Sequence, residues 1–220
     1  MKFLTSFILL AFMFSVSNAF GLSYKREFRD KKLLTQKLIE FQEIDNAVLA
    51  DVDRLQTAVT TSASVITTVT TFLAQPDVTR NITVTPGGTT ADVAAGNVVV
   101  TGTNYNDKVI TESLAFLANA STATAGLSAF KTVTSVVFPV QDGAAATFTI
   151  GVGDVLGLKR CMDSDHFIQA TFDDVFEATR ATVVFDADEV EKNTVDINGT
   201  LNGAKDIDLM FIQNFAASCF

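Results

Sequence analysis

Between Leu34 and Leu73 apolar side chains recur at alternating steps of four and three residues, and few patterns restrict a fold as tightly. The positions are Leu34, Leu38, Phe41, Asp45, Val48, Val52, Leu55, Val59, Ser62, Ile66, Val69 and Leu73. Only Asp45 and Ser62 among them are not apolar. A spacing that averages about 3.5 residues keeps one stripe of an α-helix turned toward a partner helix, so the pattern predicts a coiled coil roughly 60 Å long. A seam on one chain needs a second chain to bury it, which predicts a homo-oligomer. β-Branched residues occupy both classes of core position, Val52, Val59 and Ile66 on one and Val48 and Val69 on the other. That distribution favours a homotrimer. The stretch from Thr57 to Thr71 is rich in Thr, Ser and Val. These are mediocre helix formers, which fits a tightly packed bundle. The competing reading is that part of Val59 to Leu73 is strand.

Gln75-Pro76-Asp77 ends the expected helix, because proline cannot continue it and restricts the residue before it. Beyond it the periodicity is two. Strands are expected at Asn81–Thr85, Asn97–Thr103, Lys108–Leu117, Phe130–Phe138, Thr147–Val152, His166–Phe172, Ala181–Phe185, Thr194–Ile197 and Ile207–Ile212. Turns are expected at Pro86-Gly87-Gly88, Asn104–Asp107, Gln141-Asp142-Gly143 and Asn198-Gly199, with an Ala/Thr/Ser-rich loop over Ala118–Ser128. Short strands at close spacing, punctuated by Gly, Pro, Asn and Asp, predict a β-sandwich or jelly-roll-like domain. The expected fold is mainly β with an N-terminal helical region, and its parts are residues 1–19, 20–75 and 76–220.

The first part reads as a secretory signal peptide: Lys2, an apolar run from Phe3 to Val16, then the small-residue site Ser17-Asn18-Ala19. The other reading is an uncleaved apolar helix, a membrane anchor or a buried plug, although the run is short for a span of about 20 residues. Residues 20–33 form a mostly basic connector with Lys25, Arg26, Arg29, Lys31 and Lys32 beside Glu27 and Asp30. A solvated first turn of the long helix is the favoured reading. The sharper one is an electrostatic foot that docks on an acidic surface. If the chain is exported, a disulfide between Cys161 and Cys219 would staple the C-terminus to the β domain.

Composition excludes more than it assigns. A net charge of −9 is a poor match for a nucleic-acid backbone, so no nucleic-acid partner is expected. Nineteen Phe, two Tyr and no Trp leave little to form a sugar-binding cleft. That argues against a glycosidase despite the acidic pairs Asp51/Asp53, Asp163/Asp165, Asp173/Asp174, Asp186/Asp188 with Glu189, and Asp206/Asp208. Those pairs read as solvated turns, and none has a full calcium-loop pattern. His166 is the single histidine, and no nucleophile motif surrounds it. Gly151-Val152-Gly153-Asp154 has two glycines of a phosphate-binding loop without the third or its βαβ context, and reads as a turn. No catalytic residue, cofactor or metal site is assigned. Three Asn-X-Ser/Thr sequons begin at Asn81, Asn119 and Asn198.

One resemblance adds to this. Arg80–Val84, Gly96–Asn104, Val109–Glu112, Ala129–Thr134, Gly153–Leu158, Asn193–Asn198 and Leu201–Gly203 follow in an order that resembles small β-rich virion proteins of tailed bacteriophages, of the head-decoration or head-fibre type. The resemblance covers roughly residues 76 to 212 through strand and turn residues, and transfers no binding residue. It implies a non-enzymatic structural role on a virion, as a trimer attached to capsid or other structural proteins. The rival expectation is a secreted cell-surface or filament subunit with a cleaved signal peptide. A third is a receptor- or glycan-binding fibre tip. A membrane contact is expected only if the N-terminal segment is an uncleaved anchor.

Overall fold

The computed structural model describes residues 39–212. Among them the chain forms strands and two short 3-10 turns, Thr90–Asp92 and Val190–Lys192, and no α-helix. The strands are β1 Ile39–Ile44, β2 Asp51–Thr60, β3 Thr67–Val69, β4 Arg80–Gly88, β5 Gly96–Thr103, β6 Val109–Phe116, β7 Thr124–Phe130, β8 Thr132–Phe138, β9 Ala146–Gly157, β10 Phe167–Phe172, β11 Val175–Phe176, β12 Thr182–Val184, β13 Thr194–Asp196 and β14 Ile207–Ile212.

The long coiled-coil helix is therefore corrected. Leu34 and Leu38 lie outside the described residues, but the rest of the seam falls on β1, β2, β3 and the loops beside them. These strands pair antiparallel with β14, β9 and β8, far along the chain. On a strand, residues four apart share a face and residues three apart do not. A four-three pattern therefore swings between core and solvent. Leu55 and Val59, four apart, are buried at 0% and 6%, whereas Val52, three before Leu55, is 50% exposed. Phe41, Ile66 and Leu73 are 59%, 62% and 67% exposed, and Val48 and Val69 are intermediate. A helical seam would bury all of them alike. The Thr and Val content of 57–71 favours the strand, since β-branched side chains are stiff on a helix and fit a pleat. The argument for a trimer from the seam falls with it, while the trimer that the virion resemblance implies does not depend on the seam.

Three antiparallel sheets result. The first has the order β1-β14-β10-β11. The second has the order β12-β13-β9-β4-β7, with β2 also on β9, and the third β3-β8-β5-β6. The second and third enclose one core, as a β-sandwich does. Val98, Val100, Leu114, Val136 and Phe138 of the third sheet meet Leu55, Ile82, Val84, Phe148 and Ile150 of the second. The Phe148 ring centroid lies 5.2 Å from that of Phe116 and 4.9 Å from that of Phe138. Aromatic pairs at such spacing add to what area burial alone contributes.

Strand β9 spans 12 residues and runs from this core into a second one. There Leu156, Leu158, Met162, Val195 and Ile197 pack with Ile44, Phe167, Ile207, Leu209 and Phe211. The Gly151-Val152-Gly153-Asp154 stretch, expected to turn, lies inside β9. Gly151 is needed where β2 crosses it, because a Cβ there would sit 2.0 Å from the Asp51 carbonyl oxygen. Pro86-Gly87-Gly88 also continues a strand. It pairs only with β9, after the β7 pairing has ended at Val84, so the proline stands where the strand has a partner on one side alone, a position that tolerates it. Arg80 clamps the two cores with a fully buried side chain. Its Nη1 donates to the Val48 carbonyl at 2.8 Å and to Asp77 Oδ1 at 3.1 Å, and its Nη2 donates to the Gly153 carbonyl.

Candidate interaction surface

The segment Ile39-Glu40-Phe41-Gln42-Glu43-Ile44 alternates two kinds of side chain along β1. Glu40, Gln42 and Ile44 turn inward. Gln42 is buried at 3%, with its amide donating to the Gly157 carbonyl at 3.1 Å and its oxygen accepting Lys159 N–H at 2.9 Å. Glu40 Oε1 accepts from Arg160 Nε at 2.5 Å. The outward set is Ile39, Phe41 and Glu43, all exposed. Register carries this face across the sheet. Ile39 lies opposite Ile212, Phe41 opposite Met210, and Glu43 opposite Asp208. Asp208 is in turn opposite Thr171, and Thr171 opposite Phe176. Ile168 adds to the face at the β10 bulge and is 40% exposed, while Phe176 is 60% exposed. One open sheet face thus carries apolar side chains over most of its area and carboxylates at one end.

At that end Glu43, Asp45 and Asp206 bring carboxylate oxygens within 4.8 Å of one another, all exposed. Repulsion from Asp45, then from Asp208, holds the Glu43 carboxyl above the usual carboxylate range. Glu43 and Asp45 also line a cleft of about 440 Å³ with Asp77, Tyr105 and Lys131. These three carboxylates are the described group best arranged for a cation. All three are exposed, and a Ca²⁺ held here would have to complete its six to eight oxygens largely from water. The same geometry suits ammonium or guanidinium groups, which need only a local excess of negative charge.

The residues singled out from sequence fall elsewhere. Cys161 is buried at 4% and disulfide-bonded; Cys219 lies outside the described residues. His166 sits just before β10 with its Nδ1 3.6 Å from Asp163 Oδ1 and its Nε2 3.3 Å from Ser164 Oγ. The order matches a nucleophile–imidazole–carboxylate relay, but Ser164 Oγ already donates to Asp163 Oδ1 at 3.1 Å. A hydroxyl that gives its proton to the carboxylate is not primed by the imidazole. Of the sequons, Asn81 is buried with both amide atoms bonded, to the Gly126 carbonyl and the Val155 N–H. Asn119 and Asn198 are exposed. The acidic pair Asp186/Asp188 is a turn in which Asp186 Oδ1 accepts the N–H groups of Asp188 and Glu189, both at 2.8 Å. Those bonds hold the Asp186 carboxyl below its usual range.

Sequence reasoning missed the face of β1 and β14, because Phe41 was assigned to a helical seam. The apolar positions of Ile39 to Ile44 fit a strand and a heptad alike, and only pairing with Ile207–Ile212 separates the two. Comparison with family models, with curated proteins and with solved structures returns no match for this chain.

Proposed function

We propose that this protein is an exported, non-enzymatic structural subunit that acts through contacts of its β body with other protein. The observation that carries the reading is the disulfide at Cys161, buried beside the second core. Structural disulfides belong to oxidising compartments, and the leader-like segment before Phe20 is what export requires. An open apolar face with carboxylates at its end supports a role in assembly, since a surface of that kind is a contact surface.

The test is the intact mass of the native protein, denatured and unreduced, with its N-terminal residue read from the same sample. A chain that starts near Phe20 and is two hydrogens light is expected. A chain that keeps residues 1–19 and has free thiols would overturn export, and would return the weight to the virion role that the phage resemblance implies.

A further inference from the structure

The charge on this chain is divided unevenly. Residues 20–38 hold six Lys and Arg against two Asp and Glu, while residues 39–220 hold nine against twenty-three. A short basic segment therefore precedes a strongly acidic body. The basic segment also carries Tyr24, Phe28, Leu33 and Leu34, so it is amphipathic rather than merely cationic. The outer face of β1, β14 and β10 has the matching character. Ile39, Phe41, Ile168 and Phe176 are its exposed apolar part, and Glu43 with Asp45 and Asp206 is its acidic end.

We propose that this face is the docking surface for the basic segment 20–38 of a second copy of the chain. The match is of both kinds needed for a specific contact: apolar side chains meet an apolar sheet face, and Lys and Arg meet carboxylates that already repel one another. Relief of that repulsion drives the pairing toward a basic partner, because Glu43 faces Asp45, Asp206 and Asp208 with no counter-cation among its perturbing neighbours. The cleft of about 440 Å³ that Glu43 and Asp45 line gives long basic side chains a recess beside the face.

The occupant is a second copy because every copy carries both the basic segment and the acidic, apolar face that complements it. Nineteen residues extend to about 65 Å, which is ample to reach a neighbour. Each copy then offers one segment and one face. That is a heterologous, head-to-tail contact, which closes into rings or continues as a filament according to its rotation. This inference deepens the assembly reading above and rests on it. The two remain separable, because the mature N-terminus and the thiol state do not depend on association.

The experiment is sedimentation velocity on the full mature chain across protein concentration and salt. Reversible self-association is expected, weakened about tenfold or more when salt is raised enough to screen the charges. Two variants divide the contact. Glu43→Lys with Asp206→Lys reverses the face, and Lys31→Glu with Lys32→Glu reverses the segment. Each alone is expected to sediment as a monomer, and their equimolar mixture to associate again, because each supplies the half that the other lacks. Glu43→Gln with Asp206→Asn, a milder change that relieves repulsion at the acidic end, is expected to weaken association without lowering Tm, which separates docking from folding. A wild-type monomer at all concentrations, an association untouched by either reversal, or a mixture that stays monomeric would overturn the proposal. The first outcome is also the signature of a segment docked within its own chain.

Discussion

Glu112 sits where two edge strands meet without pairing. Strand β6 ends the third sheet and β7 ends the second. Between Asn81 and Thr83 the register of β7 on β4 slips, so Gly126, Leu127 and Ser128 bulge out of the ladder. Glu112 Oε1 accepts the freed N–H groups of Leu127 at 2.7 Å and Ser128 at 3.1 Å, and Asn81 Nδ2 donates to the Gly126 carbonyl at 3.1 Å. Bulged backbone groups that pairing leaves over are thus met by two side chains. Glu112→Ala removes the acceptor for two donors and is expected to cost about 1–2 kcal/mol, read as the urea midpoint. Glu112→Gln keeps an acceptor oxygen and is expected to cost less. Burial holds the Glu112 carboxyl above its ordinary 4.5, so the folded state keeps this proton better than the unfolded one. The cost of ionising it in the fold therefore grows as pH rises from 4.5 through the raised pKa. Glutamine has no such cost, so the deficit of Glu112→Gln should be smaller at pH 7 than at pH 4. A deficit that widens with pH would show that the two amides, and not burial, dominate the site.

The strands divide into those readable one at a time and those that exist only through a distant partner. If β2 is a strand of the sandwich, seam positions must differ in cost. Leu55→Ala, in the core, is expected to lose about 2–5 kcal/mol. Leu73→Ala and Ile66→Ala, both exposed, should stay within about 0.5 kcal/mol. Equal losses at all three, measured by urea unfolding, would argue for a helical seam. Strands β5 and β14 were legible because alternation and flanking turn residues are local. Ile207–Ile212 was expected with the bounds it has, and Gly96–Thr103 begins one residue before the expected start. Strands β1 and β2 were not legible, because the apolar spacing in 39–60 fits a heptad and a swung strand equally well. What decides between them is partners at 207–212 and 147–152. Strand β7 was hidden in an Ala/Ser/Thr-rich stretch, since small side chains give no period to read. The candidate surface was illegible for the same reason as β1. Glu43 and Asp45 meet Asp206 and Asp208 only once β1 and β14 are paired, and no local pattern announces that pairing.

At the scale of the whole molecule the excess of carboxylates sets how stability responds to pH. Among the described residues four carboxyl groups are held above their ordinary range by the fold, each for its own reason. Glu43 is raised first by Asp45, Asp53 by its bond with Asp51, and Glu112 and Asp196 by burial. For each, the folded state binds a proton more tightly than the unfolded chain does. Stability therefore falls as pH rises from the ordinary value, 3.8 for Asp and 4.5 for Glu, through the raised one. Asp186 works in the opposite sense. The N–H groups of Asp188 and Glu189 lower its pKa, so its contribution is present above 3.8 and is lost as pH falls through the lowered value. The raised groups outnumber the lowered one, and a net charge of −9 adds self-repulsion at neutral pH. Tm is thus expected to rise as pH is lowered from neutrality toward the ordinary carboxyl range, and to fall again below 3.8 as the Asp186 turn is protonated. Scanning calorimetry at low protein concentration checks this, dilution being needed because the chain is nearly uncharged near its pI of about 4.5. Glu43→Gln should flatten that rise by removing one of the repelling charges from the acidic end of the β1–β14 face. A Tm that climbs steadily from pH 4 to 8 would mean that carboxylates stabilised by bonds of the Asp186 kind govern the fold, and that crowding at the Glu43 end is relieved in solution by a bound cation or a basic partner.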